Sequence, residues 1–150
     1  MIPDAYPKAY LYKRIVQAKL YIDSCFAEHI DLENISDEAY FSKYHFIRLF
    51  KRAYGKTPHQ YLIKVRIENA MQLLETGTTV SDACFAVGFA SVSSFSGLFK
   101  RIVGITPTEY QSKQQQLKSL ILNTPLQFIP GCHARSNGWM EKSNFEEAEI

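Results

Sequence analysis

The side chains best able to do chemistry in this sequence are the cations of one acid-free stretch. Residues 39–67 contain no aspartate or glutamate but hold seven lysines and arginines, which are Lys43, Arg48, Lys51, Arg52, Lys56, Lys64 and Arg66. Clustered positive charge is typical of a surface that binds a polyanion. The alternative is an ordinary solvated basic face, and the net charge of +2 for the whole chain does not decide between them. The helical pattern around these cations favours polyanion binding.

The basic stretch overlaps a sequence repeat. Residues 42–61 and 91–110 lie 49 positions apart and are identical at ten of twenty positions. A self-match at a fixed period defines the architecture of a chain. Because there are two copies, the repeat predicts a duplicated module.

Each copy predicts a short helix, a tight stop and a new helix. Ser42 and Ser91 are N-cap candidates, since a serine hydroxyl can accept an unsatisfied backbone N–H. Gly55 and Gly104 stand where a left-handed residue ends a helix. The Thr-Pro-x-Gln and Thr-Pro-x-Glu segments that follow are capping boxes with proline at the first helical position. The apolar positions predicted to face inward are Phe46, Leu49, Phe50 and Ala53, and then Phe95, Leu98, Phe99 and Ile102.

The remaining periodicity predicts an all-α fold of seven helices with a C-terminal tail. The helices cover 8–27, a short segment capped by Asp31, the segment after Ser42, 58–75, the segment opened by Thr79, the segment after Ser91, and 107–122. They form a first helix-turn-helix subdomain (8–57), a connecting helix (58–75) and a second subdomain (76–122). The tail, 123–150, is either poorly ordered or docked through Leu126, Phe128, Ile129 and Trp139.

The segment from Thr79 to Tyr110 carries a specific motif. It reads TVSDACFAVGFASVSSFSGLFKRIVGITPTEY, with a Val-Gly-Phe turn, a helix that ends in Phe-Lys-Arg, and Gly-x-Thr-Pro-x-x-Tyr. This segment resembles the signature of the DNA-binding region of the AraC/XylS family of bacterial transcription regulators. The resemblance covers about residues 10–111 and includes the Ser-x-x-x-Phe-x-Arg-x-Phe-Lys pattern at 42–51.

The resemblance implies a monomeric body whose two helix-turn-helix units, bridged by one helix, read successive major grooves of double-stranded DNA. It also implies activation of transcription through contact with RNA polymerase. Three positions depart from the family pattern: Tyr40 replaces a usual turn glycine, and Gly97 and Gln111 replace frequent arginines. Glycine removes a donor and costs about 1 kcal/mol in a helix interior, so the second unit is predicted to read bases weakly.

The outward sides of the two recognition helices supply the predicted DNA contacts. Arg48 is assigned to base reading, because arginine can bond both O6 and N7 of guanine; a phosphate contact or a surface ion pair are its alternatives. The base-reading set is Lys43, Tyr44, Ile47, Arg48, Val92, Ser93 and Ser96. The phosphate-binding set, which sets register without reading sequence, is Ser42, His45, Lys51, Arg52, Arg66, Ser91, Lys100 and Arg101. His45 has a structural role as its alternative, and Arg52 and Arg101 have carboxylate pairing.

Other functional classes find less support. The chain has no run of about 18 apolar residues and no secretion signal at its N-terminus. Cys25, Cys84 and Cys132 are scattered, which favours a reducing cytoplasm. A DNA-binding regulator is expected there at the nucleoid. An enzyme would have to rely on Cys132-His133, because the helical body shows no paired carboxylates, metal-spaced ligands or glycine-rich phosphate loop. The sequence therefore predicts no enzyme, no cofactor and no metal.

Two alternatives stay open. Paired helix-turn-helix units can form a protein-interaction module that does not bind DNA. The chain can also be the C-terminal fragment of a larger ligand-sensing regulator. Only about seven residues precede the first predicted helix, so no ligand-binding domain is expected within the chain.

Overall fold

Every regular element is an α-helix within residues 5–30 and 43–124, which the computed structural model describes. The helices are α1 (Ala5–Cys25), α2 (Lys43–Tyr54), α3 (Pro58–Glu75), α4 (Val80–Ala86), α5 (Val92–Val103) and α6 (Pro107–Asn123). The all-α prediction is confirmed, and the connecting helix has its predicted limits. The helix predicted after Asp31, the cap Ser42, the turn residue Tyr40 and the tail from 125 lie outside the described residues.

The chain divides into two compact units, residues 1–111 and 112–150. Helices α1–α5 and the first residues of α6 belong to the first unit. Within the second unit, the structure describes residues 112–124, most of which continue α6. The predicted DNA-contacting residues all belong to the first unit.

The two predicted capping boxes after the repeat glycines are both present. At the start of α3, Thr57 Oγ1 accepts from the backbone N–H of Gln60 at 3.2 Å, and Gln60 Oε1 accepts from the N–H of Thr57 at 3.0 Å. At the start of α6, Thr106 and Glu109 make the same pair of bonds at 3.2 and 2.8 Å. These reciprocal bonds satisfy N–H groups that have no partner inside the helix, so each box fixes where its helix begins.

Two apolar cores are built around aromatic pairs. In the first, α1 and the beginning of α3 enclose Phe46 and Phe50 of α2, whose ring centroids lie 6.0 Å apart. In the second, the end of α3 and α4 enclose Phe95 and Phe99 of α5 at 5.6 Å. Because α3 contributes to both cores, it joins the two helix-turn-helix units as one continuous element.

The connecting helix repeats the role that α1 plays in the first half. The buried side chains of α1 are Ile15, Ala18 and Ile22, and those of α3 that line the second core are Ile67, Ala70 and Leu74. The second set lies 52 positions after the first, whereas the recognition helices repeat at 49 positions. The offset hid this part of the duplication, because a match sought at one fixed period does not align α1 with α3.

A tyrosine–carboxylate bond occurs once in each half. Tyr61 donates its hydroxyl hydrogen to Asp23 Oδ1 at 2.7 Å, and Tyr110 donates to Glu75. Burial alone would raise the pKa of Asp23, but hydrogen bonds from Lys19 and Tyr61 outweigh burial and lower it. Burial and the bond to Glu75 together raise the pKa of Tyr110 to about 12. Each bond ties the helix after a recognition helix to the helix before its helix-turn-helix unit.

The inward faces of the recognition helices are narrower than predicted. Ala53 is exposed, and 49% of Ile102 is exposed, so the prediction that both face inward is wrong. The phenylalanine pairs point into the cores, whereas Leu49 and Leu98 are half-buried at the core edges. In the last turn of each helix, the next residue along the chain, Tyr54 or Val103, packs against the core instead.

A junction behind the recognition helices joins the end of α1 to the second half. Arg66 of α3 donates from Nε to the carbonyl of Phe26 at 2.7 Å and from Nη2 to that of Glu28 at 3.0 Å. Its guanidinium also lies 5.7 Å from the centroid of the Phe89 ring. Burial lowers the pKa of Arg66, and the two carbonyls and the ring face compensate for the water that this cation loses.

The turn of the second helix-turn-helix unit touches the same junction. Gly88 has a φ of +92°, and a Cβ at this position would lie 2.6 Å from the carbonyl oxygen of Ala27. A residue with a Cβ would therefore be strained twice, by its backbone conformation and by contact with another segment of backbone. Glycine at this position lets the turn pack directly against the end of α1.

We expect Gly88→Ala to lower the free energy of unfolding by about 2 kcal/mol or more. Gly104→Ala is the matched control, because Gly104 has a φ of +94° but no atom within 4 Å of its virtual Cβ. The control should lose about 1 kcal/mol, the cost of the backbone conformation alone. Urea denaturation measures both variants, and equal losses would mean that contact with Ala27 contributes nothing.

The raised pKa of Tyr110 predicts a loss of stability at high pH. Its pKa is about 12 in the folded chain and about 10 when unfolded. The stabilisation is therefore full below pH 10 and is lost as pH rises through 12. Between pH 8.5 and 11, the free energy of unfolding of the wild type should fall by about 1.4 kcal/mol more than that of Tyr110→Phe.

Urea denaturation across this pH range measures the difference. Tyr12→Phe, which removes a hydroxyl from a ring that is 56% exposed, should follow the wild-type pH dependence. Parallel profiles for the wild type and Tyr110→Phe would contradict the assignment.

Candidate nucleic-acid interface

The outer side of α2 presents most of the predicted DNA contacts of the first helix-turn-helix unit. Lys43, Tyr44, Arg48, Lys51 and Arg52 are exposed, and Tyr44 is 81% exposed. Phe46 and Phe50 are buried on the opposite side, which fixes the rotation of the helix. The inward aromatic pair therefore determines which residues α2 shows to a partner. His45 is exposed, and both it and Lys43 make interactions within the chain.

The corresponding side of α5 is basic but has fewer long side chains. Ser93, Gly97, Lys100 and Arg101 are exposed, and Ser96 is half-buried. This face lies opposite the buried pair of Phe95 and Phe99, as in α2. The two recognition helices thus share one scaffold but present different surfaces.

Two predicted residues at the start of α5 have local structural tasks. Ser91 is the N-cap, and its Oγ accepts the backbone N–H of Ser94 at 3.3 Å. Val92 is half-buried and packs against the second core. A cap leaves the neighbouring N–H groups at the helix start directed outward, where an anion can accept from them. The apolar side chain of Val92, being partly covered, has less surface to offer a thymine methyl.

Five cations of the two faces form no ion pair with another described residue: Arg48, Lys51, Arg52, Lys100 and Arg101. The pairs seen there are Lys19 with Asp23 at 2.6 Å and Lys64 with Glu68 at 3.5 Å. Arg52 and Arg101, for which carboxylate pairing was the alternative, take part in neither. Their charge therefore adds to the positive potential of the last turns of α2 and α5, each of which ends in a Lys-Arg pair.

Arg66 stands apart from the other predicted phosphate contacts. It is half-buried, and two of its nitrogens already donate to the carbonyls of Phe26 and Glu28. Sequence reasoning placed it among surface cations because a basic residue beside others at 43–64 carries no signal of a backbone partner. Its phosphate role stays a prediction, and the structure adds the junction role.

Gln111 is a residue whose task the sequence did not reveal. Its Nε2 donates to the carbonyl of Thr78 at 2.7 Å and lies 3.4 Å from that of Leu74. These carbonyls belong to the end of α3 and the loop after it, where unsatisfied acceptors occur. The glutamine thus secures the connecting helix to the start of α6.

The described residues offer little that would support catalysis. They contain no cluster of three or more metal-binding side chains. Cys84 is buried, and burial raises its pKa, which disfavours the nucleophilic thiolate. Cys132 and His133, the pair on which an enzyme would have to rely, lie outside the described residues. None of the described helices is long and apolar enough to cross a membrane.

Helices α2 and α5, each buried on one side and basic on the other, are joined by the single helix α3, which is the arrangement of a tandem helix-turn-helix domain. A family model described as a helix-turn-helix domain matches residues 35–113, which is more than half of the chain. The curated relatives and the similar solved structures are AraC-type regulators, so the chain belongs to the AraC-type helix-turn-helix family.

The curated relatives are transcription regulators that are longer than the matched region. The probable transcriptional regulator LumQ of Photobacterium leiognathi is 38% identical over 92 residues, which are 61% of this chain and 37% of LumQ. The bifunctional transcriptional activator/DNA repair enzyme AdaA of Bacillus subtilis is 36% identical over 92 residues, 61% of this chain and 44% of AdaA. The chain thus spans less than half the length of these relatives.

Solved structures share the fold. The DNA-binding domain of AdpA, a global transcriptional factor in complex with a target DNA, superposes with a TM-score of 0.62 and is 27% identical. That similarity covers 74% of this chain and 96% of the AdpA chain. A probable AraC family regulator from Rhodopseudomonas palustris has a TM-score of 0.61 at 25% identity, covering 68% of this chain and 97% of that one.

Proposed function

We propose that this chain is the DNA-binding part of a transcription regulator and inserts α2 and α5 into successive major grooves of one duplex. The observation that carries the proposal is the pair of exposed, basic helix faces attached to one continuous connecting helix. Helix α3 has 18 residues and so spans about 27 Å at 1.5 Å per residue. Recognition helices of this kind reach grooves one helical turn apart, about 34 Å and 10 base pairs. The AdpA domain, which has a similar fold, was solved in complex with a target DNA, and this supports DNA as the partner.

Arg48 is the main base-reading residue in this proposal. Its side chain is exposed and can donate two parallel hydrogen bonds to O6 and N7 of a guanine. Tyr44 and Lys43, earlier on the same helix, and the half-buried Ile47 line the path along neighbouring base pairs. Ile47 can contact a thymine methyl with the part of its side chain that stays exposed.

The second recognition helix contributes more to register than to sequence reading. Ser93 and Ser96 can bond to either kind of base edge, which discriminates poorly. Lys100 and Arg101 are exposed and bind phosphates, as do Lys51 and Arg52 at the end of α2 and His45 nearer its start. The N–H groups at the start of α5, which follow the Ser91 cap, add a further phosphate contact. The same role is proposed for Ser42, which precedes α2 in the sequence, and for the remaining donors of Arg66.

At the level of the whole protein, we propose a regulator that activates transcription through contact with RNA polymerase and binds its site as a monomer. The names of relatives such as AdaA, a transcriptional activator, support activation. We further propose that the chain works at the nucleoid in the cytoplasm and that it is not itself an enzyme. Its similarity to AdaA covers 44% of that bifunctional protein.

The salt dependence of binding tests the phosphate contacts. Each contact releases counterions, so the logarithm of affinity should fall against the logarithm of salt concentration by about 0.9 per contact. We expect Lys51→Ala to weaken binding to all duplexes alike and to reduce this slope by about 0.9. Lys13→Ala, at an exposed cation on α1, is the control and should leave the slope unchanged. Fluorescence anisotropy at several salt concentrations gives the slopes; a wild-type affinity independent of salt would refute DNA binding.

Selection of binding sites from random duplexes tests the proposal that α2 reads bases more than α5 does. We expect one sharply defined and one loosely defined half-site about 10 base pairs apart. Arg48→Ala should relax one position of the sharp half by about 1–3 kcal/mol. Ser93→Ala should change little, and Gly97→Arg, at an exposed position with no atom within 4 Å of a virtual Cβ, should sharpen the loose half.

Two outcomes of the same selection would contradict these assignments. Two half-sites of equal information content would show that α5 reads bases as well as α2 does. An unchanged motif with Arg48→Ala would remove Arg48 from the base-reading set.

A further inference from the structure

An apolar groove of about 720 Å³ runs between α3 and α5. One wall is the stripe of Ile63, Ile67 and Met71 on α3, and Leu98 and Ile102 on α5 form the other. Residues spaced by four lie on one face of a helix, so the α3 stripe extends for about 12 Å at 1.5 Å per residue. The groove is therefore elongated and is bounded along both sides by helices.

The rim of the groove is basic. Lys56, His59, Lys64 and Arg101 line it together with one acid, Glu68. Lys64 and Glu68 lie 3.5 Å apart and partly neutralise one another. Among the described residues, no carboxylate pairs with Lys56 or Arg101. An occupant of the groove would thus meet an apolar floor and an excess of positive charge around it.

The duplicated fold does not by itself produce a groove of this size. The corresponding cavity of the first half, between Leu11, Tyr12 and Ile15 of α1 and Leu49 and Arg52 of α2, encloses about 280 Å³. The repeat also breaks here in residue type. Ile102 occupies the position that Ala53 holds 49 residues earlier, and both positions are exposed. Packing in the core therefore does not account for the large apolar side chain of Ile102 at the edge of the second groove.

We propose that this groove binds a short amphipathic helix of a partner protein, with apolar residues on one side and carboxylates on the other. Amphipathic helices bind such grooves through apolar anchors spaced at i, i+4 and i+7. About two turns of helix match the 12 Å stripe. The carboxylates would lie beside Lys56, which sets the orientation of the bound helix and speeds encounter.

Charge and shape together favour this occupant over the DNA backbone. A phosphodiester chain could neutralise the rim, but it has no apolar surface to cover the half-buried Ile63 and Met71 or the exposed Ile102. An apolar helix face removes that surface from water, at about 25 cal/mol for each Å². A partner helix in this groove would be a second ligand of the chain besides DNA.

A peptide selection tests the groove without DNA. A display library of random peptides of about fourteen residues is selected on the whole chain, and the binding of the enriched peptides to Ile102→Glu is then measured. This substitution places a carboxylate at the groove edge, and 49% of Ile102 is exposed, so the fold should persist. Ala53→Glu is the matched control, because it makes the same charge change at the equivalent exposed position outside the groove.

We expect enriched peptides to carry three apolar residues at helical spacing and an excess of Glu and Asp. They should bind the wild type and Ala53→Glu equally and bind Ile102→Glu at least about tenfold more weakly. Circular dichroism should show the same helix content in all three proteins. Because DNA is absent, this result is independent of the salt and site-selection experiments.

Several outcomes would overturn the proposal. One is a lack of enrichment, and another is enrichment of basic or uncharged peptides. Equal binding to the wild type and Ile102→Glu would place the site elsewhere. Self-association of the wild type in sedimentation, abolished by Ile102→Glu, would make a second copy the occupant. Decanoate binding that depends on Ile102, without any peptide consensus, would make the occupant a small amphiphilic acid.

Discussion

The relative position of the two helix-turn-helix units depends on the junction between the end of α1 and the second half. Arg66 binds the carbonyls of Phe26 and Glu28, and Gly88 packs against the carbonyl of Ala27. Unsatisfied carbonyls at a helix end need donors, and here one donor comes from the connecting helix. Residues 26–28, which follow α1, are thus held against the turn of the second helix-turn-helix unit. With this contact in place, a single continuous helix can carry two recognition helices at a set spacing.

Within each helix-turn-helix unit, a pair of phenylalanines fixes the orientation of the recognition helix. Burial of a phenylalanine contributes about 1.5–3 kcal/mol, and the tilted packing of neighbouring rings adds to it. The pairs Phe46–Phe50 and Phe95–Phe99 fix the rotation of their helices, because turning either helix would bring a ring into water. The exposed side of each helix is then available for contacts with a partner, and its residues are free to differ between the copies. Stability and recognition are therefore carried by opposite faces of the same element.

The two halves have diverged on those exposed faces while keeping their cores. In the first, long side chains including Arg48 project from α2; in the second, Gly97 takes the equivalent place on α5. The second half instead has a larger groove beside its recognition helix, with Ile102 at the edge. The copy proposed to read bases less well thus has the larger groove beside its recognition helix. Duplication supplied two copies of the scaffold, and the exposed residues specialised each copy.

The sequence by itself determined the features that arise from contacts a few residues apart. Thr57 with Gln60 and the left-handed Gly55 and Gly104 set helix ends through local hydrogen bonds and backbone sterics, so the all-α class and the limits of α3 could be predicted. The assignment of DNA contacts also came from the sequence, through helical periodicity and residue chemistry, and its individual roles stay predictions.

Only the tertiary structure decided the features that depend on distant segments. The partners of Arg66, 38 and 40 residues away, leave no mark in a local pattern, so the sequence showed a basic residue among others. Periodicity predicted an inward face for Ala53 and Ile102, but in the last turns the neighbouring Tyr54 and Val103 pack against the cores, and Ala53 and Ile102 are exposed. The contact of Gly88 with Ala27 and the groove beside Ile102 likewise come from how helices far apart in the chain pack. Local rules fix where helices begin and end, whereas burial and contact depend on where the other helices lie.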